Sequence, residues 1–161
     1  MTINNDLFIR KPLSFEIPND GVTNVDRPGD SNQWDVLKYE LESFVCEGEY
    51  EHGLERILDS YTGHRNRATQ PAVWVSGFYG SGKSHLVRVL QHLWADTEFP
   101  NGATARGLAS IPQGIRDQLT ELTTLGRRDG AAPWAAAGAL DRSGDTLNSV
   151  FLSIVLGAAG L

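Results

Sequence analysis

Gly77-Phe78-Tyr79-Gly80-Ser81-Gly82-Lys83-Ser84 is a glycine-rich octapeptide from which the predicted architecture of this chain follows. It matches the phosphate-binding loop pattern G-x-x-x-x-G-K-[ST] at every fixed position. The apolar run at residues 72–76 predicts a buried strand before the loop, and apolar residues at helical spacing predict a helix from residue 82 to about residue 95. A strand, a glycine loop and a helix in this order predict a P-loop.

The residue types of this loop suit a triphosphate. Gly80 and Gly82 allow the backbone to turn tightly and to bring its N–H groups close to phosphate oxygens. The helix that follows directs unpaired N–H groups and its positive dipole end at the same anion. Lys83 can reach the β- and γ-phosphates, and the Ser84 hydroxyl can ligate Mg²⁺. We therefore predict ATP and Mg²⁺ as cofactors, with residues 77–84 as the binding segment and Ser84 as the metal ligand.

The composition is that of a globular protein of one-domain size. The 161 residues are 40% hydrophobic and 21% charged, and the formal net charge of −6 argues against a non-specific nucleic-acid-binding surface. The single cysteine, Cys46, cannot form an internal disulfide, which favours a reducing, cytoplasmic location. The first residues do not form a signal peptide, and the apolar run at residues 150–161 is too short to span a bilayer, so we predict no membrane association.

Three segments are predicted along the chain. Residues 1–30 are irregular, with a weak hairpin, and residues 31–70 form a helical hairpin whose first helix is capped by Asp30 or Ser31 and whose second ends at Gly63. Residues 71–161 form the P-loop nucleotide-binding core. The predicted fold class is therefore α/β: a partial P-loop NTPase (AAA-like) three-layer core preceded by an N-terminal helical hairpin. Because the chain ends inside an apolar helix, we expect a core that is incomplete at its C-terminus, in the front part of a longer protein.

A P-loop ATPase also needs an acidic residue after a second strand to hold Mg²⁺. Helical spacing predicts a helix over residues 108–122 that restarts at Pro112 and stops at Gly126, then a strand over 133–140 and a helix over 144–157. Asp141 follows that strand and is the only nearby candidate for the acidic residue, although a turn or helix-capping role is favoured for it. We therefore assign no catalytic residue and expect this chain to bind ATP but scarcely to hydrolyse it.

Other chemically suggestive residues have simpler interpretations. The helical hairpin is expected to pack on the nucleotide-binding core, with a regulatory or partner surface as the alternative, and Cys46 to be a small packed residue rather than a nucleophile. The basic loop at residues 64–67 is expected to be solvated, with a phosphate or partner contact as the alternative. The histidines show no metal-ligand spacing, and His85 and His92 are interpreted as helix-surface residues.

Several segments of the sequence resemble one known family. These are Asp6-Leu7-Phe8, the Gly21-Val22 turn, the helix at residues 41–45, the helix end at Tyr61 and, above all, residues 74–86, which read WVSGFYGSGKSHL. Together they resemble the N-terminus of the large P-loop ATPases of bacteriophage-exclusion (BREX) systems, of the BrxC/PglY type. The aromatic pair before Gly80 and the histidine after Ser84 are the more specific features. We therefore add His85 to the candidate cofactor-binding residues.

The resemblance covers most of residues 6–95 and implies a bacterial cytoplasmic defence protein. Such a protein binds ATP and acts against phage DNA together with other components of its system. The resemblance also implies an AAA-like ATPase, a class of protein that can form homo-oligomers. Three alternatives stay open. The first is a small stand-alone nucleotide kinase or hydrolase, and the second is a loader-type ATPase of the initiator/AAA class. The third is a non-enzymatic interaction domain that binds nucleotide only for its own stability. Turnover by the purified chain would favour the first, and self-association with ATP would favour an AAA protein.

Overall fold

The structure, a computed structural model, describes residues 28–139 and 146–161 and is built of helices. In chain order these are α1 (Ser31–Ser43), α2 (Glu49–His64), α3 (Lys83–Ala95), α4 (Ala105–Leu108), α5 (Gln113–Arg128) and α6 (Leu147–Ala159). An isolated bridge between Glu98 and Thr104 is the only β-pairing among the described residues. The predicted α/β three-layer P-loop core is therefore wrong: the described part of the chain contains no sheet.

The predicted strand before the glycine loop is exposed. Residues 72–76 form no ladder, and Val73, Trp74 and Val75 are 53%, 90% and 38% exposed. A strand is stable only when others pair with it, and the second predicted strand, at residues 133–140, is not a strand over its described residues 133–139. That segment consists largely of alanine and glycine, which are poor strand formers, so the first segment has no partner in the described chain.

The core lies instead between the apolar faces of α1, α2, α3 and α5. These faces follow the helical spacing of the sequence, and burial of such a stripe is what stabilises a helix in a protein. The fully buried larger side chains are Leu37, Leu41, Leu54, Leu58, Val89, Leu93, Ile115 and Leu119. The prediction of two helices within residues 31–70 is confirmed, and they pack against α3 and α5 rather than against a sheet.

Local signals set the starts of α1 and α5 as predicted. Asp30 caps α1 by accepting a hydrogen bond from the Gln33 N–H at 2.8 Å, and α5 begins directly after Pro112. The predicted stops at Gly63 and Gly126 are wrong, because α2 continues to His64 and α5 continues to Arg128. A single glycine inside a helix costs only about 1 kcal/mol. Here a Cβ on Gly126 would lie 2.7 Å from the Ala131 carbonyl oxygen, so glycine lets the following chain pack closely on α5.

Two buried arginines fix α3 against its neighbours. Arg88 Nε lies 2.6 Å from Glu40 Oε2 of α1, in an ion pair whose side chains are 4% and 13% exposed. At the other end of α3, the Arg106 guanidinium donates to the carbonyl oxygens of Leu93 and Trp94 at 2.7 and 3.0 Å. The last carbonyls of a helix lack intrahelical partners and attract cations. Arg106 therefore satisfies the C-terminal end of α3.

The prediction that Cys46 is a small packed residue is confirmed. Cys46 is buried, as predicted, and burial raises the pKa of its thiol to about 11, with smaller contributions from Glu51 and Glu55. A thiol with so high a pKa is unreactive.

Arg65 of the basic loop is not solvated: it donates to the Leu125 carbonyl oxygen at 2.6 Å and pairs with Asp129. It joins the C-terminal ends of α2 and α5.

Helix α6 lies apart from this core. It has no buried residue, and with residues 134–139 and the C-terminal half of α3 it borders a groove of about 700 Å³.

None of the helices within residues 28–139 and 146–161 has the length and apolar character needed to cross a bilayer. The predicted hairpin before residue 28 and the candidate Asp141 lie outside the described residues.

The interpretation of His92 as a surface residue is wrong. His92 is 3% exposed, and its Nδ1 lies 2.9 Å from Thr97 Oγ1. Burial, and secondarily the charge of Arg88, lowers the pKa of His92 from 6.5 to about 4. The residue is on the face of α3 that packs inward, which the apolar residues around it in the sequence do not reveal.

This pKa predicts a loss of stability in mild acid. Between pH 6.5 and pH 4 the unfolded chain binds a proton at His92 that the folded chain does not, so the free energy of unfolding falls as the pH falls. The loss from this residue approaches about 3 kcal/mol at pH 4. Urea unfolding between pH 7 and pH 4 should show a steeper decline for the wild type than for His92→Gln. Exposed His52 supplies the control, His52→Gln, whose decline should match the wild type; equal slopes for wild type and His92→Gln would contradict this assignment.

Candidate functional site

The glycine loop is a tight backbone turn that leads directly into α3. Gly80 and Gly82 have φ of 77° and 78°, in the left-handed region that glycine adopts without strain. The Ser81 N–H donates to the Phe78 carbonyl oxygen at 3.2 Å and closes the turn. Gly82 then occupies the N-cap position and Lys83 is the first helical residue. The loop therefore curls over the N-terminus of α3 although no strand precedes it.

This curl leaves a set of backbone donors without acceptors. The N–H groups of Gly80, Gly82, Lys83 and Ser84 donate to no acceptor among the described residues. Those of Lys83 and Ser84 belong to the first turn of a helix, where N–H groups have no intrahelical partner. Successive free N–H groups in a turn at a helix N-terminus form a concave site for an anion.

The Lys83 ammonium lies within the same loop. Its Nζ donates to the carbonyl oxygens of Gly77 and Phe78 at 3.0 and 2.7 Å and to Ser81 Oγ at 3.3 Å. Gly77 packs closely on Ser81, because a Cβ at residue 77 would lie 2.8 Å from Ser81 Oγ. The only positive side chain of the loop is thus folded back onto the loop, where it is held by neutral oxygens that an anion can displace.

Side chains of α1 and α2 support the loop from behind. The Tyr50 hydroxyl donates to the Ser81 carbonyl oxygen at 2.6 Å, and His85 Nε2 lies 3.1 Å from the Glu40 carbonyl oxygen. The Phe44 ring makes edge contacts with the rings of both Tyr50 and His85, at centroid distances of 5.9 and 5.7 Å. The buried Glu40–Arg88 pair lies one turn further along α3. His85 is therefore half-buried against α1 and not at the helix surface as predicted, and it supports the loop rather than facing the anion site.

The residues predicted for the metal and the aromatic positions lie at the surface. Ser84 is exposed in the first turn of α3, where its hydroxyl can join a metal that phosphate oxygens also bind. Phe78 and Tyr79 are 91% and 101% exposed. Within residues 28–139 and 146–161, no group of three or more histidine, cysteine or acidic residues could hold a metal by itself.

The structure assembles the predicted segment and adds residues that sequence reasoning missed. Residues 77–84 form one compact loop, whereas His85 has a supporting role. Tyr50 was missed because helical spacing marks it only as part of an apolar stripe. Glu40 was missed because it contacts His85 through its backbone carbonyl oxygen, which the pattern of side chains does not mark. A half-buried tyrosine, unlike a leucine, has a hydroxyl that needs a polar partner, and that is the signal that could have found it.

Comparisons with known proteins leave the family undecided. No protein-family model matches the sequence, and no solved structure matches the chain significantly.

Proposed function

We propose that this chain binds ATP with Mg²⁺ through residues 77–84. Two observations carry the proposal: the N–H groups of Gly80, Gly82, Lys83 and Ser84 have no acceptor among the described residues, and the Lys83 ammonium is held by oxygens of the same loop. A triphosphate is the common biological anion that is large enough and charged enough to use the whole set. The sequence pattern points to the same ligand independently of the geometry.

The residues act together on the phosphate chain. Gly80, Gly82 and the first turn of α3 donate N–H hydrogen bonds to phosphate oxygens, and the positive end of the helix dipole adds to the attraction. Lys83 exchanges its contacts with the Gly77 and Phe78 carbonyl oxygens for charge-assisted contacts with phosphate. Ser84 supplies one hydroxyl ligand to Mg²⁺, which neutralises part of the phosphate charge.

Hydrolysis requires more than this loop provides. Phosphoryl transfer depends on an acidic residue that holds the metal, on a group that orients the attacking water and, in many enzymes, on an arginine from a neighbour. The sequence offered only Asp141 for the acidic role, and Asp141 lies outside the described residues. We therefore propose a nucleotide-binding chain with little ATPase activity of its own.

The biological setting is proposed from the resemblance of residues 6–95 to the BREX ATPases. In this proposal the chain is part of a phage-defence ATPase in the bacterial cytoplasm, and its partners are other components of the system. DNA contact comes through the assembly, and association with further copies of the chain is compatible with it. Phage plating on the source bacterium, with the wild-type protein or with Lys83→Ala, tests the defence role.

Lys83→Ala should weaken ATP binding at least tenfold, or by about 1.4 kcal/mol, because charge-assisted contacts are the strong ones. Isothermal titration calorimetry with Mg²⁺ present measures this directly. AMP should bind the wild type far more weakly than ATP, because the proposed site holds the β- and γ-phosphates.

Lys38→Ala provides the matched control for the loss of a lysine. Lys38 lies on α1 in an exposed i, i+4 ion pair with Glu42, so its removal should leave the ATP affinity unchanged. Equal ATP affinity of Lys83→Ala and wild type would contradict the proposed function.

Phosphate release by the purified chain should be much slower than the ~1 s⁻¹ at the lower end of ordinary enzymes. The measurement is made beside Lys83→Ala and Asp141→Ala. Turnover near that value which both variants abolish would refute the binding-only proposal, make Asp141 a catalytic residue and favour the stand-alone hydrolase.

A further inference from the structure

The loop and α2 are joined by one unusually close approach. Tyr50 Oη lies 2.6 Å from the Ser81 carbonyl oxygen, and a Cβ on Gly82 would lie only 2.5 Å from the same hydroxyl oxygen. The Ser81–Gly82 peptide thus packs directly on the tyrosine hydroxyl. Residues 50 and 81 belong to different elements of the chain, so this contact is a tertiary one that connects α2 to the glycine loop.

The hydrogen bond fixes the orientation of a peptide group that the anion site uses. In a trans peptide the C=O and the N–H point in opposite directions. Because Tyr50 holds the Ser81 carbonyl toward α2, the Gly82 N–H points away from α2 and has no acceptor among the described residues. With φ of 78°, Gly82 is flexible enough for this peptide to rotate if nothing holds it.

Tyr50 is itself held in place. Its ring makes an edge contact with Phe44 at an interplanar angle of 72°, and Phe44 is 4% exposed. Phe44 in turn contacts His85 of α3. The hydroxyl is therefore positioned by packed aromatic rings on the side of the loop opposite the free N–H group, which is the arrangement expected of a group that preorganises a binding site.

We propose that Tyr50 is a positioning residue for the nucleotide site, and that its hydroxyl sets the Ser81–Gly82 peptide so that the Gly82 N–H is ready for a phosphate oxygen. This inference rests on the proposed ATP binding. Tyr50 touches no phosphate and acts through the backbone of the loop. Helix α2 is thereby part of the proposed nucleotide site, since a shift of α2 would move this peptide.

The test is Tyr50→Phe, which keeps the ring and its contact with Phe44 and removes only the hydroxyl. The expected result is a rise in the ATP dissociation constant of about fivefold, the value of one ordinary hydrogen bond. Amide resonances of residues 80–83 should move in the nucleotide-free variant, while those of the α5 core stay in place. A general loss of packing would not give this restricted pattern.

Tyr61→Phe is the matched control, because Tyr61 is on the same helix and its hydroxyl has no hydrogen-bond partner among the described residues. It should bind ATP as the wild type does. If Lys83→Ala loses affinity while Tyr50→Phe binds like the wild type with unmoved loop amides, the positioning role is wrong and the proposed function stands. If neither the wild type nor Tyr61→Phe binds ATP, both proposals fall.

Discussion

The burial of α3 is the constraint on which the described structure depends. The helix must bury Leu86, Val89 and Leu93 while its first turn stays at the surface. Polar contacts hold both of its ends. Near its N-terminal end, His85 contacts α1 and Ser81 contacts Tyr50 of α2, and at its C-terminal end Arg106 donates to the Leu93 carbonyl oxygen. The glycine loop precedes this helix directly, so the position of the loop follows from the packing of the helix.

The polar contacts of this core position the helices and the loop more than they raise the free energy of unfolding. A buried ion pair such as Glu40–Arg88 recovers much of its desolvation cost but rarely exceeds a well-packed apolar pair in stability. The pair does, however, join one position of α1 to one position of α3. The Tyr50 hydroxyl has the same effect on the loop. Both contacts come from the two helices that the sequence marks only as amphipathic, which gives those helices a part in the site.

The sequence predicted the local features well, because each depends on a few neighbouring residues. Apolar spacing located the helices, Asp30 was recognised as a cap, and the glycine loop was placed at the start of α3. The sheet was predicted wrongly, because a strand depends on partners that no local pattern reveals, and residues 72–76 have none in the described chain. The burial of His92 and the contact of Tyr50 with Ser81 likewise depend on how helices pack together. They could not be obtained from spacing alone.

The proposed nucleotide site consists of the free backbone N–H groups of Gly80, Gly82, Lys83 and Ser84 at the start of α3. The most direct measurement is the change in backbone amide resonances when ATP and Mg²⁺ are added to the purified chain. The account predicts that the largest changes fall on Gly80, Gly82, Lys83 and Ser84, and that amides of α5 change little. Saturating changes confined to other residues, such as those bordering the groove beside α6, or no change at millimolar ATP, would contradict it.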